Sequence, residues 1–285
     1  MAKKVEARVM ELVEHYFPGI NVYRTDRPGA ATRFAAEIKQ NSDVVIAAGG
    51  DGTINEVLNG LIGGGGVLGI IPIGSGNDFV KMLNLPRDYE KALRIIQQHN
   101  TMRIDVGKVD GRYFLNGLGI GFDAYVVIES QKVKWLRGFV MYLFAILKTL
   151  KHYHNMSVNL KLDGREEQRE IFMITVGNGK SLGGGFFLTP RAKLDDGVFD
   201  ICIFRALTTP EVLKNLPKAL HGKHLFLPQV EYFQARELSV SSPDWLPMHI
   251  DGELMPTNIQ QVSVEVVPRA IEVIHNLNHA EKEVR

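Results

Sequence analysis

The run Val44-Val45-Ile46-Ala47-Ala48-Gly49-Gly50-Asp51-Gly52-Thr53-Ile54-Asn55-Glu56 constrains this chain more than any other segment. Apolar, β-favouring residues end in a glycine-rich corner, and a helical pattern begins at once. Strand, glycine loop and helix together form a phosphate-binding arrangement. Glycine lets the backbone approach an anion and adopt positive φ. The helix would add free N–H groups and the positive end of its dipole. Asp51 would repel a phosphate, so a carboxylate there implies a divalent cation or a donor hydroxyl between them. The plainer alternative is a tight strand-to-helix turn with Asp51 as a cap.

A second loop argues against the plain turn. Gly69-Ile70-Ile71-Pro72-Ile73-Gly74-Ser75-Gly76-Asn77-Asp78-Phe79 is another short apolar strand ending in small and polar residues. Val57 to Leu61 would pack as the helix between the two units, followed by a turn at Gly63 to Gly66. Successive strand–helix units place both loops at the carboxyl edge of one parallel sheet, where open α/β folds bind ligands. Ser75 and Asn77 can donate to phosphate, and Asp78 adds a second carboxylate.

Periodicity divides the chain in two. Val5, Val9, Leu12, Val13 and Tyr16 recur at helical spacing. A short strand is expected at Ile20 to Arg24, a helix at Pro28 to Gln40 and another at Tyr89 to Gln98. Residues 1–103 therefore read as a three-layer α/β domain on a parallel, Rossmann-like sheet. From residue 104 to 285 the grammar becomes short strands and Asp-Gly turns, which reads as a mainly antiparallel β-sandwich. Its strands are expected at Arg103–Val109, Arg112–Asn116, Ser157–Leu162, Glu170–Val176, Val198–Phe204, Tyr232–Ser239, Gln261–Val267 and Ile271–His275. Helices are expected at Tyr125–Leu150 and Pro210–His221, and the last ten or so residues could return to the first domain.

Composition removes several classes. Lys+Arg 33 against Asp+Glu 32 gives net charge +1, which argues against a nucleic-acid partner. One cysteine, Cys202, excludes an internal disulfide framework and a multi-cysteine zinc site, and its alternating apolar setting reads as a buried strand. His152 and His154 lack metal-spacing partners and read as surface residues. The first residues carry no apolar signal core, and Phe139 to Leu147 is too short to span a bilayer.

The two glycine loops together resemble the diacylglycerol kinase catalytic domain, and in particular the bacterial soluble lipid kinases of that family. The likeness continues through Asn116-Gly117-Leu118-Gly119-Ile120-Gly121-Phe122-Asp123, Gly177-Asn178-Gly179, Gly183-Gly184-Gly185, Ala192-Lys193-Leu194-Asp195-Asp196-Gly197 and Asp251-Gly252-Glu253. It spans about two hundred residues in order. The first loop alone also resembles those of NAD kinases and phosphofructokinases. The family opens with a strand and an Asn-Pro-x-Ser-Gly loop that have no counterpart here. That departure leaves open a start upstream of Met1 or a degenerate, non-catalytic member.

The resemblance implies an ATP- and Mg²⁺-dependent kinase acting on a membrane-lipid hydroxyl, with diacylglycerol to phosphatidic acid foremost. It assigns nucleotide contacts to Thr25, Gly49, Gly50, Asp51, Gly52, Thr53, Ile54, Asn55, Ser75, Asn77 and Asp78, the two acids through water and Mg²⁺. It makes Asp251 the general base, supported by Glu253, and gives a structural Mg²⁺ to Asp196 with the carbonyls of Lys193 and Val198. On their own Asp251-Gly252 and Asp196-Gly197 read first as hairpin turns, and only their place in the ordered set of motifs reverses that. A base there gains from a raised pKa in a closed cleft. The glycine-rich segments Asn116–Asp123 and Gly177–Gly185 could open an acyl groove. Lys132, Lys134, Arg137, Lys148 and Lys151 could rest on an anionic leaflet. A cytoplasmic chain that meets its lipid at the membrane surface, and that could pair as a homodimer, is the resulting expectation. The rival readings are a soluble-substrate kinase of the NAD kinase type and a nucleotide- or lipid-binding pseudokinase.

Overall fold

The computed structural model describes residues 2–277 except 134, 137, 184 and 257, with side chains from residue 5 on. The chain forms two compact units. One comprises the residues up to Ile104 and those from Ala270 on; the other runs from Asp105 to Arg269.

In the first unit α1 (Ala2–Tyr16) and α2 (Ala30–Ile38) precede β1 (Val44–Gly49), α3 (Asp51–Leu61), β2 (Val67–Pro72), α4 (Asp78–Met82) and α5 (Tyr89–Gln98). β1 and β2 pair in parallel, with Gly49 opposite Pro72. The end of a later strand, β13 (Gln261–Ile274), adds to the other side of β2, also in parallel. β2 is buried on both faces, as a central parallel strand requires. α2 lies on α3, where Thr32 Oγ1 donates to the Glu56 carbonyl and Ala31 N–H to Glu56 Oε2. α1 lies beside α5, tied by Tyr16, Glu90 and Arg94.

Ile20 to Arg24 does not form the expected strand. The segment is irregular and joins no ladder, and Val22 and Tyr23 are exposed. Its apolar alternation is met instead by a cavity that it lines together with Val44–Ala48, Phe34 and Val13.

β3 (Thr101–Val109) leads into the second unit and forms a hairpin with β4 (Arg112–Phe114). There follow β5 (Gly117–Gly121), α6 (Phe122–Lys132), α7 (Gly138–Thr149), β6 (Met156–Leu162), β7 (Arg165–Gly177), β8 (Phe199–Arg205) and α8 (Thr209–Ala219). The chain ends with β9 (Val230–Ala235), β10 (Glu237–Ser241), β11 (Met248–Ile250), β12 (Glu253–Leu254) and β13 (Gln261–Ile274). Pairing is antiparallel from β13 through β10, β6, β7, β5 and β11 to β12, and β8 and β9 extend from β7. The first half of β7 pairs with β6 and its second half with β5, so the sheet curls. The curl encloses a core that includes Phe114, Ile174, Phe199 and Leu238, with the two phenylalanine rings stacked.

Three boundaries differ from the sequence expectation. Tyr232–Ser239 is two strands broken at Arg236, because the Asp163 carboxylate accepts from the N–H groups of Arg236 and Glu237. Conversely, β13 runs through Arg269, whose φ of 50° marks the kink. The expected long helix at Tyr125–Leu150 is α6 and α7, and Val133 already leaves the helical conformation.

Candidate active site

In the first unit the two glycine loops meet backbone to backbone. The N–H groups of Ile73 and Gly74 donate to the Gly49 carbonyl at 2.9 and 3.3 Å. A β-carbon added at Gly74 would stand 2.5 Å from the Cα of Gly50 and 2.7 Å from Asn77 Oδ1. One at Gly49 would stand 2.5 Å from Thr53 Cβ. These glycines are required by close approach. The first intrahelical bond of α3 is Ile54 N–H to the Gly50 carbonyl, so the amides of Asp51, Gly52 and Thr53 end the helix at this corner. That is the geometry of an anion site.

Asp51 bridges the loops. Its Oδ1 accepts from Phe79 N–H at 3.3 Å, and the amides of Asp78 and Asn77 also donate to the carboxylate. Burial, and then the charge of Asp78, pushes Asp51 above the usual carboxylate range. Asp78 is buried and paired with Lys81 Nζ at 2.6 Å. Asn77 is left-handed at φ 52° and donates to the Gly74 carbonyl at 2.8 Å. Ile54 and Asn55 are buried in α3, whereas Ser75 is exposed. Thr25 is exposed and lines the β1 cavity together with Thr53 of the first loop.

In the second unit Asp251 and Gly252 are the two turn residues between β11 and β12, both at positive φ (48° and 84°). That is the geometry of a type I′ hairpin. The turn also holds its carboxylate rigidly. Asp251 Oδ2 accepts from Leu115 N–H, and Oδ1 from Asn116 and Gly117 N–H, each at 2.9 Å. Its environment is therefore a cradle of three amides, where the sequence reading anticipated only a closed cleft. Glu253 points elsewhere, paired with Arg112 at 3.0 Å on the surface.

The turn at Lys193–Val198 is fastened by Asp105, a residue that pattern reading passed over. Asp105 is buried at 1% exposure. Its Oδ2 accepts from Gly197 N–H at 2.6 Å, its Oδ1 from Arg269 N–H at 2.8 Å, and its own N–H donates to the Leu194 carbonyl. An acid between Ile104 and Val106 in an apolar strand was the available signal. Asp196 is exposed, and Val198 N–H lies 3.4 Å from its Oδ1. Among the described residues no cluster of three His, Cys, Asp or Glu side chains could hold a metal. A cation at this turn would rest on one carboxylate and backbone carbonyls, an all-oxygen set suited to a hard ion.

The second unit also holds a mainly apolar cavity, with Asp123, Tyr142, Asn215, His224 and Gln229 as the polar side chains of its lining. Phe122, Ile146, Phe172, Leu188, Phe204 and Val230 wall it. Asp123 is buried at its wall, 5% exposed. Tyr142 O–H donates to Asp123 Oδ1 at 3.0 Å, and His249 Nε2 lies 2.8 Å from Oδ2. Burial pushes Asp123 up, but the His249 and Tyr142 contacts outweigh it and hold the carboxyl below its ordinary value. Gly252 N–H points at His249 Nδ1 at 3.3 Å, which leaves the ring proton on Nε2 for Asp123. The cavity wall is thus connected to the Asp251 turn through His249. The expected basic cluster is weaker than its sequence suggests, because Lys132 and Lys148 both pair with Glu129. Lys134, Arg137 and Gly184 lie outside the described residues.

An α/β unit with paired glycine loops, joined to an antiparallel β unit with an acidic hairpin, defines a kinase architecture shared by lipid and NAD kinases. Residues 1–109 match the diacylglycerol kinase catalytic domain, and residues 117–275 match the YegS C-terminal NAD kinase beta sandwich-like domain. The chain is 36% identical over 237 residues to a diacylglycerol kinase of Staphylococcus saprophyticus, covering 82% of this chain and 78% of the relative. It is 33% identical over 256 residues to a diacylglycerol kinase of Bacillus subtilis strain 168, covering 88% and 84%. A solved structure from Bacillus anthracis str. Sterne, of a protein proposed to be a diacylglycerol kinase, superposes with a TM-score of 0.77 at 26% identity, covering 95% and 92%. An NAD kinase of Archaeoglobus fulgidus, 13% identical with a TM-score of 0.56, covers 96% and 90% and shares the fold alone. The chain belongs to the diacylglycerol kinase family and is a phosphotransferase with an alcohol group as acceptor.

Proposed function

We propose that the chain is a lipid kinase that transfers the γ-phosphoryl group of ATP, with Mg²⁺, to the hydroxyl of diacylglycerol, giving phosphatidic acid. One observation carries the choice of a lipid over a soluble acceptor. The cavity beside Asp123 is walled mainly by aromatic and aliphatic side chains, and Asp123 is hydrogen-bonded through His249 to the Asp251 turn. Such walls suit an acyl chain and would strand the charged groups of a dinucleotide without partners.

In this reading the Gly49–Asn55 and Gly74–Asp78 loops cradle the nucleotide phosphates with backbone amides, Ser75 and Asn77. Bound Mg²⁺ supplies charge neutralisation at the transferred phosphoryl group. Asp51 and Asp78 would hold that ion's waters, which fits the raised pKa of Asp51 when no cation neutralises the pair. Asp251 accepts the proton of the acceptor hydroxyl, and its amide cradle fixes the direction from which it does so. Glu253 supports the hairpin through Arg112. A second Mg²⁺ would sit on Asp196 and the carbonyls of Lys193 and Val198, ordering the turn that Asp105 fastens.

The test is labelled-phosphate transfer from ATP to diacylglycerol in mixed micelles with Mg²⁺. Labelled phosphatidic acid is the expected product. Transfer to NAD, with none to the lipid, would overturn the reading in favour of a soluble-substrate kinase.

A further inference from the structure

The second unit exposes its large apolar side chains in a pattern. On and just before α7, Trp135 is 73% exposed and Val140 59%, and Phe139, Phe144 and Leu147 are exposed as well. The others in this unit are Phe187, Leu213 on α8, and Phe226 at 81%. Every one of these segments also walls the apolar cavity. α7 contributes Tyr142 and Ile146, α8 contributes Val212 and Leu216, and Phe187 and Phe226 stand next to the cavity residues Phe186 and Leu227. The broad sheet β6–β10, by contrast, adds none to the exposed set among the described residues. One ring contact joins inside and outside, Phe139 stacking on Phe186 at 5.7 Å, while Trp135 meets Phe144 at 5.8 Å within the exposed set.

We propose that these segments form the face by which the protein inserts into a lipid bilayer, chiefly through apolar side chains. The proposal rests on the lipid-kinase reading and adds to it the docking surface and its chemistry. Continuity with the cavity selects a bilayer as occupant. An acyl chain that left the membrane through this face would pass from hydrocarbon to apolar wall with little exposure to water, and each exposed methylene is unfavourable. The composition agrees. Trp favours the membrane interface, and Phe and Leu suit the buried face of a helix lying in it. α7 carries a single charge, Lys148, already paired with Glu129. Lys214, Lys218 and Lys223 are exposed on the neighbouring segments, where they would meet headgroup phosphates. The paired state of Lys132 and Lys148 makes insertion less dependent on anionic lipid than the sequence alone implies.

Two tryptophans make the test direct, since Trp245→Phe leaves Trp135 as the only one. Titrating this variant with neutral phosphatidylcholine vesicles should blue-shift its emission, and brominated acyl chains should quench it. Trp135→Ser/Val140→Ser/Phe226→Ser, at the most exposed positions, should lose at least tenfold in vesicle sedimentation. Its turnover of a short-chain, monomeric diacylglycerol should match the wild type. No shift on neutral vesicles, a shift on anionic vesicles only, or equal sedimentation of the triple variant would each overturn the proposal. So would a stable dimer in sedimentation velocity that the triple substitution dissociates, because the face would then be a self-interface. Absent turnover of the short-chain lipid, by contrast, would refute the lipid-kinase reading while leaving the vesicle result standing.

Discussion

Gly74 lies so close to Gly50 that it cannot carry a side chain: a β-carbon at Gly74 would be 2.5 Å from the Cα of Gly50. Nothing flexible is available to yield, since the neighbour is backbone. Gly74→Ala should therefore separate the loops, lower stability by about 1–3 kcal/mol as overpacking does, and weaken nucleotide binding. Gly65→Ala, where no atom lies within 4 Å, should leave both unchanged. Urea unfolding and nucleotide titration calorimetry on the two variants check this contrast.

Asp251 offers two oxygens to three amides, and the bond from Leu115 is to Oδ2 while the other two are to Oδ1. Asparagine has one carbonyl oxygen, so Asp251→Asn turns an NH₂ towards at least one amide. We expect turnover to fall by about 10²–10⁴, the usual weight of a general base. Stability should fall by about 1–3 kcal/mol for the unmatched donors. Nucleotide affinity should be kept. Retained turnover with a lowered melting temperature would assign Asp251 to the hairpin alone.

How much of this was legible in the sequence follows from where the determinants lie. The first two strand–loop–helix units could be read directly, because each is local: apolar run, glycines, then helix. Asp251 and Asp196 could be singled out only through resemblance, since Asp-Gly turns look alike until a distant partner is seen. Asp123 and His249 lie 126 residues apart, and no spacing rule joins them. β5 was hidden for a related reason. Gly117–Gly121 has low strand propensity, yet Gly119 must be glycine because a β-carbon would stand 2.4 Å from both Asp123 Oδ2 and His249 Nε2. Tertiary contacts, rather than local preference, also decide the break at Arg236 and the unbroken run of β13.

Asp51 gives a pH signature. Burial and the nearby Asp78 raise its folded-state pKa above the ordinary value. Folding then binds a proton more tightly than unfolding does. This contribution is fully present below the unfolded pKa of about 3.9 and is lost as pH rises through the higher folded value. At neutral pH without cation, ionised Asp51 destabilises the loop pair. Asp51→Asn should accordingly melt higher than the wild type at pH 7, with the difference shrinking as pH falls towards 4. Melting curves of both proteins in chelator across that range provide the measurement. A difference that does not vary with pH would mean that Asp51 acts through its hydrogen bonds alone.

His249 predicts the opposite slope. Its Nε2 proton, with the Tyr142 hydroxyl, holds Asp123 below its ordinary pKa against the upward push of burial. That stabilisation is present above the unfolded pKa of about 3.9 and lost as pH falls through the depressed folded value. Removing the imidazole lets burial dominate, so Asp123 becomes costly to ionise. His249→Ala should cost about 3–5 kcal/mol at pH 7, the range for orphaning a buried charged partner. The cost should shrink as acid neutralises Asp123, so urea unfolding of wild type and variant at pH 7 and pH 4.5 should show converging midpoints. Asp123→Asn removes the charge itself, and in that background His249→Ala should cost less at pH 7 and lose most of its pH dependence. An equal cost in both backgrounds would mean that His249 stabilises the hairpin only through packing and the Gly252 N–H, with no coupling to the cavity wall.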